Sequence, residues 1–510
     1  MKAQESDVRP PLKGMPLILL TVALPLATFM QVLDSTIANV AVPTIAGNLA
    51  VSSMQGTWVI TSYAVANAIS LPVTGWLARR FGEVRLFMWS TGLFALTSLL
   101  CGLSTSLGML VFFRVLQGGM SGPMLPLAQS LLINNYPPAK RNMAIALWAM
   151  TVSVAPIFGP VLGGWISDNY HWGWIFFINV PMGLVIVLMV SQLLKGRESK
   201  RVKLPLNVVG LGLLVIGVGA LQMMLDRGKE LDWFNSTEII VLAITALVGL
   251  TFLVVWELGD KNPIVNLRLF LSRNFSVGVV CISLGMMLFL GTVVLLPLLL
   301  QTQFGYSATL AGLAAAPIGI MPVVLAPLIG KNMGKIDLRI LISVGFLVFA
   351  ACMYTRTWFT PEMDMRFVMI PQFVQGIANA LFFTPLTALA FMGLKPEQMA
   401  SAAGLFNFVR TLFGAIGTSL VTTLWERREA LHHTHLTEHV NPYNPLALDA
   451  LNSLQRLGMD AQQSAAFLAR QVTNQGFIIA ANEIYFLCSL CFLALIGVVW
   501  LARPTVSKRA

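Results

Sequence analysis

A carboxylate and a guanidinium inside apolar runs are the groups in this chain best placed to do chemistry. Asp34 lies in the second half of the apolar run 15–43, and Arg114 lies one turn into the run 107–134. Placing either ion at the centre of a bilayer costs about 2.5–3.5 kcal/mol, so each needs a partner, a role, or both. Together they are able to store and release a proton. A nearby guanidinium keeps the carboxylate ionised, and drawing the two apart raises its proton affinity. The alternative is a permanent structural ion pair between helices, and residue types alone leave both readings open.

Other polar groups share these runs. Asn39, Gln117, Asn407 and Arg410 are candidates for contact with a bound substrate. Glu483, beside Asn482 about two turns into the run 477–501, is a candidate for protonation or for recognition of cationic cargo. It is equally open to reading as an acid that reaches the outer interface. Asp226 and Glu257 sit near the ends of their runs and can reach the interface too.

Small residues and prolines mark the helices that must hold these groups. In Ala155-Pro-Ile-Phe-Gly-Pro-Val-Leu-Gly-Gly164, Gly159 and Gly163 are four apart and share one helix face, which permits close approach of a neighbour. Pro156 and Pro160 each remove a backbone hydrogen bond and favour a bend. Gly118 follows Gln117, and Gly75 and Gly82 bracket Gly75-Trp-Leu-Ala-Arg-Arg-Phe-Gly82, where they suit a tight turn.

Composition sets the solvent. Of 510 residues, 56% are hydrophobic and 11% charged, too few charges for a water-soluble surface of this size. Fourteen apolar runs, from 15–43 to 477–501, are each long enough to cross a bilayer core of about 30 Å. The first is too long for a signal-peptide core and reads as a retained helix. The net charge of +11 lies in short connectors and tails rather than on one basic face, which excludes nucleic-acid binding. Every second connector is basic, so both termini are expected in the cytoplasm.

The halves echo each other. Arg114-Val-Leu-Gln-Gly-Gly parallels Gln372-Phe-Val-Gln-Gly-Ile, which aligns Gln117 with Gln375 and Gly118 with Gly376. Duplicated halves are the usual construction of secondary transporters. The predicted architecture is all-α: a six-helix bundle over 1–203, an inserted helix pair over 204–262, and a second six-helix bundle over 263–510. Residues 425–476 form a long outer loop with polar amphipathic stretches near 446–457 and 460–473. Leu446, Leu448, Leu451, Leu454 and Leu457 give the first stretch an apolar stripe, either for a partner or for packing back onto the bundle.

Metal chemistry is not expected. His432, His433 and His435 cluster in that loop, but only Glu438 offers a further ligand at suitable spacing, and Cys488 and Cys491 form a lone C-x-x-C within an apolar run. The chain has no phosphate-binding loop for ATP and no cluster of buried catalytic groups, which disfavours an ATP-driven pump and a membrane-embedded enzyme.

These motifs carry a resemblance that covers essentially the whole chain. Leu33-Asp-Ser-Thr-Ile-Ala-Asn-Val-Ala-Val-Pro43, the Gly75–Gly82 loop, Arg114-x-x-Gln-Gly118, Gly159-Pro-Val-Leu-Gly-Gly164, Trp172-Gly-Trp-Ile-Phe-Phe-Ile-Asn-Val-Pro181 and Leu221-Gln-Met-Met-Leu-Asp-Arg-Gly228 resemble the fourteen-helix drug:proton antiporters of the major facilitator superfamily. The resemblance implies outward transport of lipophilic or amphipathic compounds across a bacterial inner membrane, driven by the proton gradient without a cofactor. It extends to members of tripartite pumps, which implies a periplasmic membrane-fusion adaptor and an outer-membrane channel. A proton-coupled importer of a small metabolite on the same fold is the alternative. One departure stands out: Arg79 occupies a position that is usually acidic in the loop motif, and Glu83 one that is usually basic.

Overall fold

A computed structural model describes residues 11–504 apart from 200, 203, 204, 206, 261 and 442. The expected boundary at 203/204 and the basic residues of both tails beyond 11–504 fall outside the described residues. The helices are α1 Met15–Asn48, α2 Ser53–Gly56, α3 Trp58–Phe81, α4 Glu83–Gly102, α5 Leu107–Ser121, α6 Met124–Asn135, α7 Arg141–Asn169, α8 Trp174–Phe177, α9 Asn179–Leu193, α10 Val208–Arg227, α11 Thr237–Gly259, α12 Arg273–Thr302, α13 Ala308–Ala315, α14 Ile320–Asn332, α15 Leu338–Arg356, α16 Met365–Phe391, α17 Pro396–Glu438, α18 Pro445–Arg456 and α19 Ala461–Val499. The described residues include no strand. In lipid a helix satisfies its backbone polar groups internally, which is why such apolar segments adopt it.

Eleven of these helical segments are long and apolar enough to cross a membrane, and the chain is a multi-pass membrane protein. The other three expected spans coincide with α3, with α5 and α6 together, and with α7. The run expected at 107–134 is not one continuous helix: it turns at Gly122-Pro123 between α5 and α6.

In the N-terminal half α1 packs on α7, α9 and α6, while α5 packs on α3 and α4. In the C-terminal half α12 pairs with α17, and α15 with α16 and α19. The halves meet where α3 and α6 face α17 and where α7 faces α14. The close approaches lie at the end that carries Arg79, Arg80 and Lys331. A Cβ at Gly75 would lie 2.6 Å from Ser401 Cα, one at Gly404 3.0 Å from the Leu71 carbonyl oxygen, and one at Gly330 2.8 Å from Ala146 Cβ. Helix α10, paired with α11, leans on both α3 and α17.

The outer loop expected at 425–476 is instead largely helical. Helix α17 runs 43 residues, roughly 65 Å at 1.5 Å per residue, so about half of it projects beyond the bilayer core. Its polar continuation Trp425–Glu438 reads as loop by hydropathy, yet it includes the helix formers Glu, Arg and Leu and holds no Gly or Pro. Helix α19 likewise begins at Ala461, capped by the Asp460 side chain. The two extensions join at their base, where Trp425 Nε1 donates to the Phe477 carbonyl at 2.8 Å and the two rings lie 4.8 Å apart. The short helix α18 between them is amphipathic, and Leu446 and Leu457 are each 79% exposed rather than packed back on the bundle.

Proline at Ala430 would remove a hydrogen bond inside the α17 extension at a local cost of about 3 kcal/mol. Trypsin cleavage at Arg427 and Arg428 in Ala430→Pro should therefore accelerate while the thermal midpoint of the bundle stays unchanged.

Candidate functional site

The Asp34 carboxylate is held by three side chains from two helices besides its own, α5 and α9. It accepts hydrogen bonds from Arg114 Nη1 at 2.7 Å, Gln117 Nε2 at 3.1 Å and Asn179 Nδ2 at 2.8 Å, and the four side chains have no solvent exposure. Arg114 also donates through Nε to the Val59 carbonyl at 3.0 Å and through Nη1 to Gln117 Oε1 at 2.7 Å, and it lies 4.1 Å from the centre of the Tyr63 ring. The Ser98 hydroxyl accepts from Gln117 Nε2 at 3.1 Å and Asn179 Nδ2 at 2.9 Å, and donates to the Phe176 carbonyl. A charge pair without water needs this saturation, since any unmet donor or acceptor carries its full desolvation penalty.

The geometry brings together Asp34, Arg114 and Gln117. Gln117, expected to contact substrate, is occupied instead by the carboxylate. Asn179 and Ser98 were not singled out from sequence; the polar Asn within Trp174-Ile-Phe-Phe-Ile-Asn179 was the available signal.

The conformational residues attach to the same stretch of α1. A Cβ at Gly159 would lie 2.6 Å from Thr36 Cβ, and one at Gly163 would lie 2.8 Å from Ile37 Cγ1. Thus α7 rests directly on the turn after Asp34. Gly164 faces open space, so only the first two glycines of that motif serve this contact. Pro156 is half-buried in α7, which runs unbroken through it, while the Pro160 side chain lies outside the described residues. A Cβ at Gly118 would lie 2.9 Å from Ala66 Cβ, which sets how closely α5 approaches α3.

The loop motif keeps its glycine and moves its acid. Gly82 has φ +93°, and a side chain there would meet Glu198. The Glu198 carboxylate accepts from the Val84 and Arg85 backbone N–H groups, both at 3.0 Å, at the N-terminus of α4, where negative charge is favoured. Arg79 Nη2 donates to the Pro263 carbonyl at 3.2 Å, and Glu83 accepts from Ser130 Oγ at 3.0 Å.

The other expected site residues lie apart. Asn39 is exposed on α1. Asn407 is buried and donates across the halves to Gln129 Oε1 at 3.0 Å. Arg410 is buried 5.2 Å from the centre of the Phe383 ring, which stacks on Trp148 of the other half. Its Nε and Nη1 have no hydrogen-bond partner among the described residues. Glu483 takes the second of its two expected positions, at the protein surface. It is remote from the Asp34 cluster, its side chain is 38% exposed, and Arg428 grips it with two hydrogen bonds of 2.8 Å, with His432 Nε2 at 3.0 Å. The polar continuation of α17 supplies both partners, which hold the acid at the helix-pair base. Among the described residues no group of three His, Cys, Asp or Glu is disposed to hold a metal.

Comparison with known proteins decides the family. The Major Facilitator Superfamily matches residues 24–418. The chain belongs to the Major Facilitator Superfamily. It is 60% identical to the multidrug export protein EmrB of Escherichia coli (strain K12) over 495 residues, 97% of each chain. It is 55% identical to the fatty acid resistance protein FarB of Neisseria gonorrhoeae, over 97% of this chain and 98% of that protein. Among solved structures of the superfamily, the human organic anion transporter MFSD10 (TETRAN) aligns with a TM-score of 0.60 at 13% identity, covering 95% of this chain and all of that one. That likeness speaks for the superfamily fold alone.

Two variants probe the cluster and its support. Asn179→Ala removes one donor from a buried carboxylate and should lower stability by about 1–3 kcal/mol in thermal unfolding of the purified protein. Gly163→Leu should insert normally and block transport, because Leu overpacks against Ile37. Full turnover by Gly163→Leu would show that this contact need not move.

Proposed function

We propose that this chain is a multidrug efflux transporter of the bacterial inner membrane that exchanges protons for lipophilic or amphipathic compounds. Export is the activity named for a relative 60% identical over nearly the whole chain, and resistance is named for another at 55%. Both favour efflux over import on the same fold. Fourteen spans with both termini cytoplasmic, divided into bundles 1–203 and 263–510 about an inserted pair 204–262, fit the basic connectors and the observed helices.

The observation that carries proton coupling is the buried Asp34 carboxylate and its three donors. In the observed state the halves close at the basic end, the carboxylate is compensated by Arg114, and α7 grips α1 through Gly159 and Gly163. Sliding of α7 on α1 would strain the cluster and separate acid from arginine, raising the proton affinity of Asp34. Proton uptake and a change of access thereby become one event. Release restores the ion pair. Aromatic and apolar side chains along the inter-half face, Trp148 and Phe383 among them, suit lipophilic cargo.

The helical hairpin of α17, α18 and α19 is the surface we assign to a periplasmic membrane-fusion adaptor, which would pass cargo to an outer-membrane channel. Leu446 on α18 and Leu457 just after it, both exposed while α18 itself leans on α19, support that reading over a self-packed cap.

Two measurements test these assignments. In proteoliposomes under an imposed pH gradient, Asp34→Asn should insert normally and lose proton-driven export, because an amide cannot cycle a proton; wild-type export by this variant would refute coupling through Asp34. Deletion of 440–470 should leave transport in proteoliposomes intact and abolish resistance in cells that depend on the outer channel. Loss in both assays would make the hairpin part of the transporter's own fold, and loss in neither would make it dispensable.

A further inference from the structure

The C-terminal half contains a second buried arginine that hydropathy does not single out. Arg356 is the last residue of α15 and has no solvent exposure. An arginine at the end of a membrane helix ordinarily extends past it towards water. This one folds back into the bundle. Its Nη2 donates to Gln375 Oε1 on α16, and its guanidinium carbon stands 5.5 Å from the centre of the Tyr485 ring on α19.

The same three residue types surround Asp34 in the other half. There Arg114 donates to Gln117 Oε1 and lies over the Tyr63 ring, and the carboxylate accepts from both the arginine and the glutamine. Gln375 is the residue that aligns with Gln117 in the duplicated sequence. The C-terminal arginine and tyrosine come from other helices than their N-terminal counterparts, so the likeness is one of chemistry rather than of strict symmetry. What the second cluster lacks is the acid. The titratable groups that act on Arg356 are Tyr485, Cys352 and Cys488, none of them a carboxylate. Glu483, two residues before Tyr485, is held at the protein surface by Arg428 and His432.

The missing acid leaves donors unmet. Arg356 Nε, Gln375 Nε2 and Tyr485 Oη have no hydrogen-bond partner among the described residues, and all three side chains are fully buried. In the N-terminal half the corresponding amide nitrogen, Gln117 Nε2, donates to Asp34. Three buried donors around one uncompensated positive charge suit an acceptor that carries a single negative charge.

We propose that Arg356, Gln375 and Tyr485 form a binding site for one small monovalent anion, which supplies the negative charge that Asp34 supplies in the other half. A halide and the carboxylate head of an acidic amphiphile share the required chemistry: one charge, and acceptance of several N–H and O–H donors. A divalent phosphate would leave one charge uncompensated.

Thermal unfolding of the full-length chain in lipid nanodiscs tests the site without recourse to transport. Sodium sulfate, whose divalent anion does not match the site, serves as background, with chloride or decanoate titrated at constant ionic strength and 1-decanol as the uncharged control. Wild-type protein should show a saturable rise in midpoint with chloride, which assigns a halide, or with decanoate but not decanol, which assigns the head group of an acidic cargo. Tyr485→Phe retains the ring beside Arg356 and loses only the hydroxyl; Gln375→Ala loses the amide. Each should raise the half-saturating concentration about tenfold, the equivalent of one modest hydrogen bond. The proposal falls if neither anion gives a saturable response, if decanol matches decanoate while chloride has no effect, or if both variants respond as wild type does. Should Gln375→Ala fail to fold, Tyr485→Phe decides alone.

Discussion

A buried ion pair in a lipid-surrounded bundle constrains everything near it. Asp34 and Arg114 are free of water, so the hydrogen bonds that each would make in solution must come from neighbouring helices. Those bonds fix the separations of α1, α3, α4, α5 and α9: Val59, Ser98, Gln117 and Asn179 each contribute one or more contacts that tolerate only tenths of an ångström. Lateral packing in lipid gains little from hydrophobicity, because the tails are as apolar as leucine. Polar satisfaction and close glycine contacts therefore do in this bundle much of what an oily core does in a soluble protein.

The glycine contacts divide into two kinds. Gly159, Gly163 and Gly118 lie within the N-terminal half and fix how helices around the acid seat on one another. Gly75, Gly404 and Gly330 lie between the halves, all at one end, where they permit backbone-level approach. The first kind seats α7 on the turn after the acid, and the second brings the halves into contact at the end that carries Arg79, Arg80 and Lys331. Because α7 takes part in both, against Thr36 and Ile37 at one level and against Gly330 at another, a shift of this one helix registers at the acid and at the closed end together.

Much of this was legible in the residues. Apolar runs and basic connectors gave the helical organisation, and the cost of buried charge pointed to Asp34 and Arg114 as a pair, while Gln117 was expected at substrate rather than beside them. What was not legible followed from what hydropathy measures. It reports preference for lipid, so the polar, helix-forming segment after Trp425 looked like loop, and the partners of Glu483, Arg428 and His432, one and two turns beyond Trp425, could not be read from it. It also ignores side-chain direction, so the positions that Asn179 and Arg356 take inside the bundle were not legible. The relocation of the loop acid to Glu198 is a contact across more than a hundred residues, which no local motif encodes.

The length of α17 has a mechanical consequence. One unbroken helix begins beside the closed contact between the halves, at Ser401 and Gly404, and ends at Glu438, well outside the bilayer core. A rod of roughly 65 Å that tilts by about 10° about its inner end sweeps its far tip through roughly 11 Å. Small adjustments at the contact between the halves would thereby be amplified into large displacements of the hairpin tip, so the tip would move with any tilt of α17.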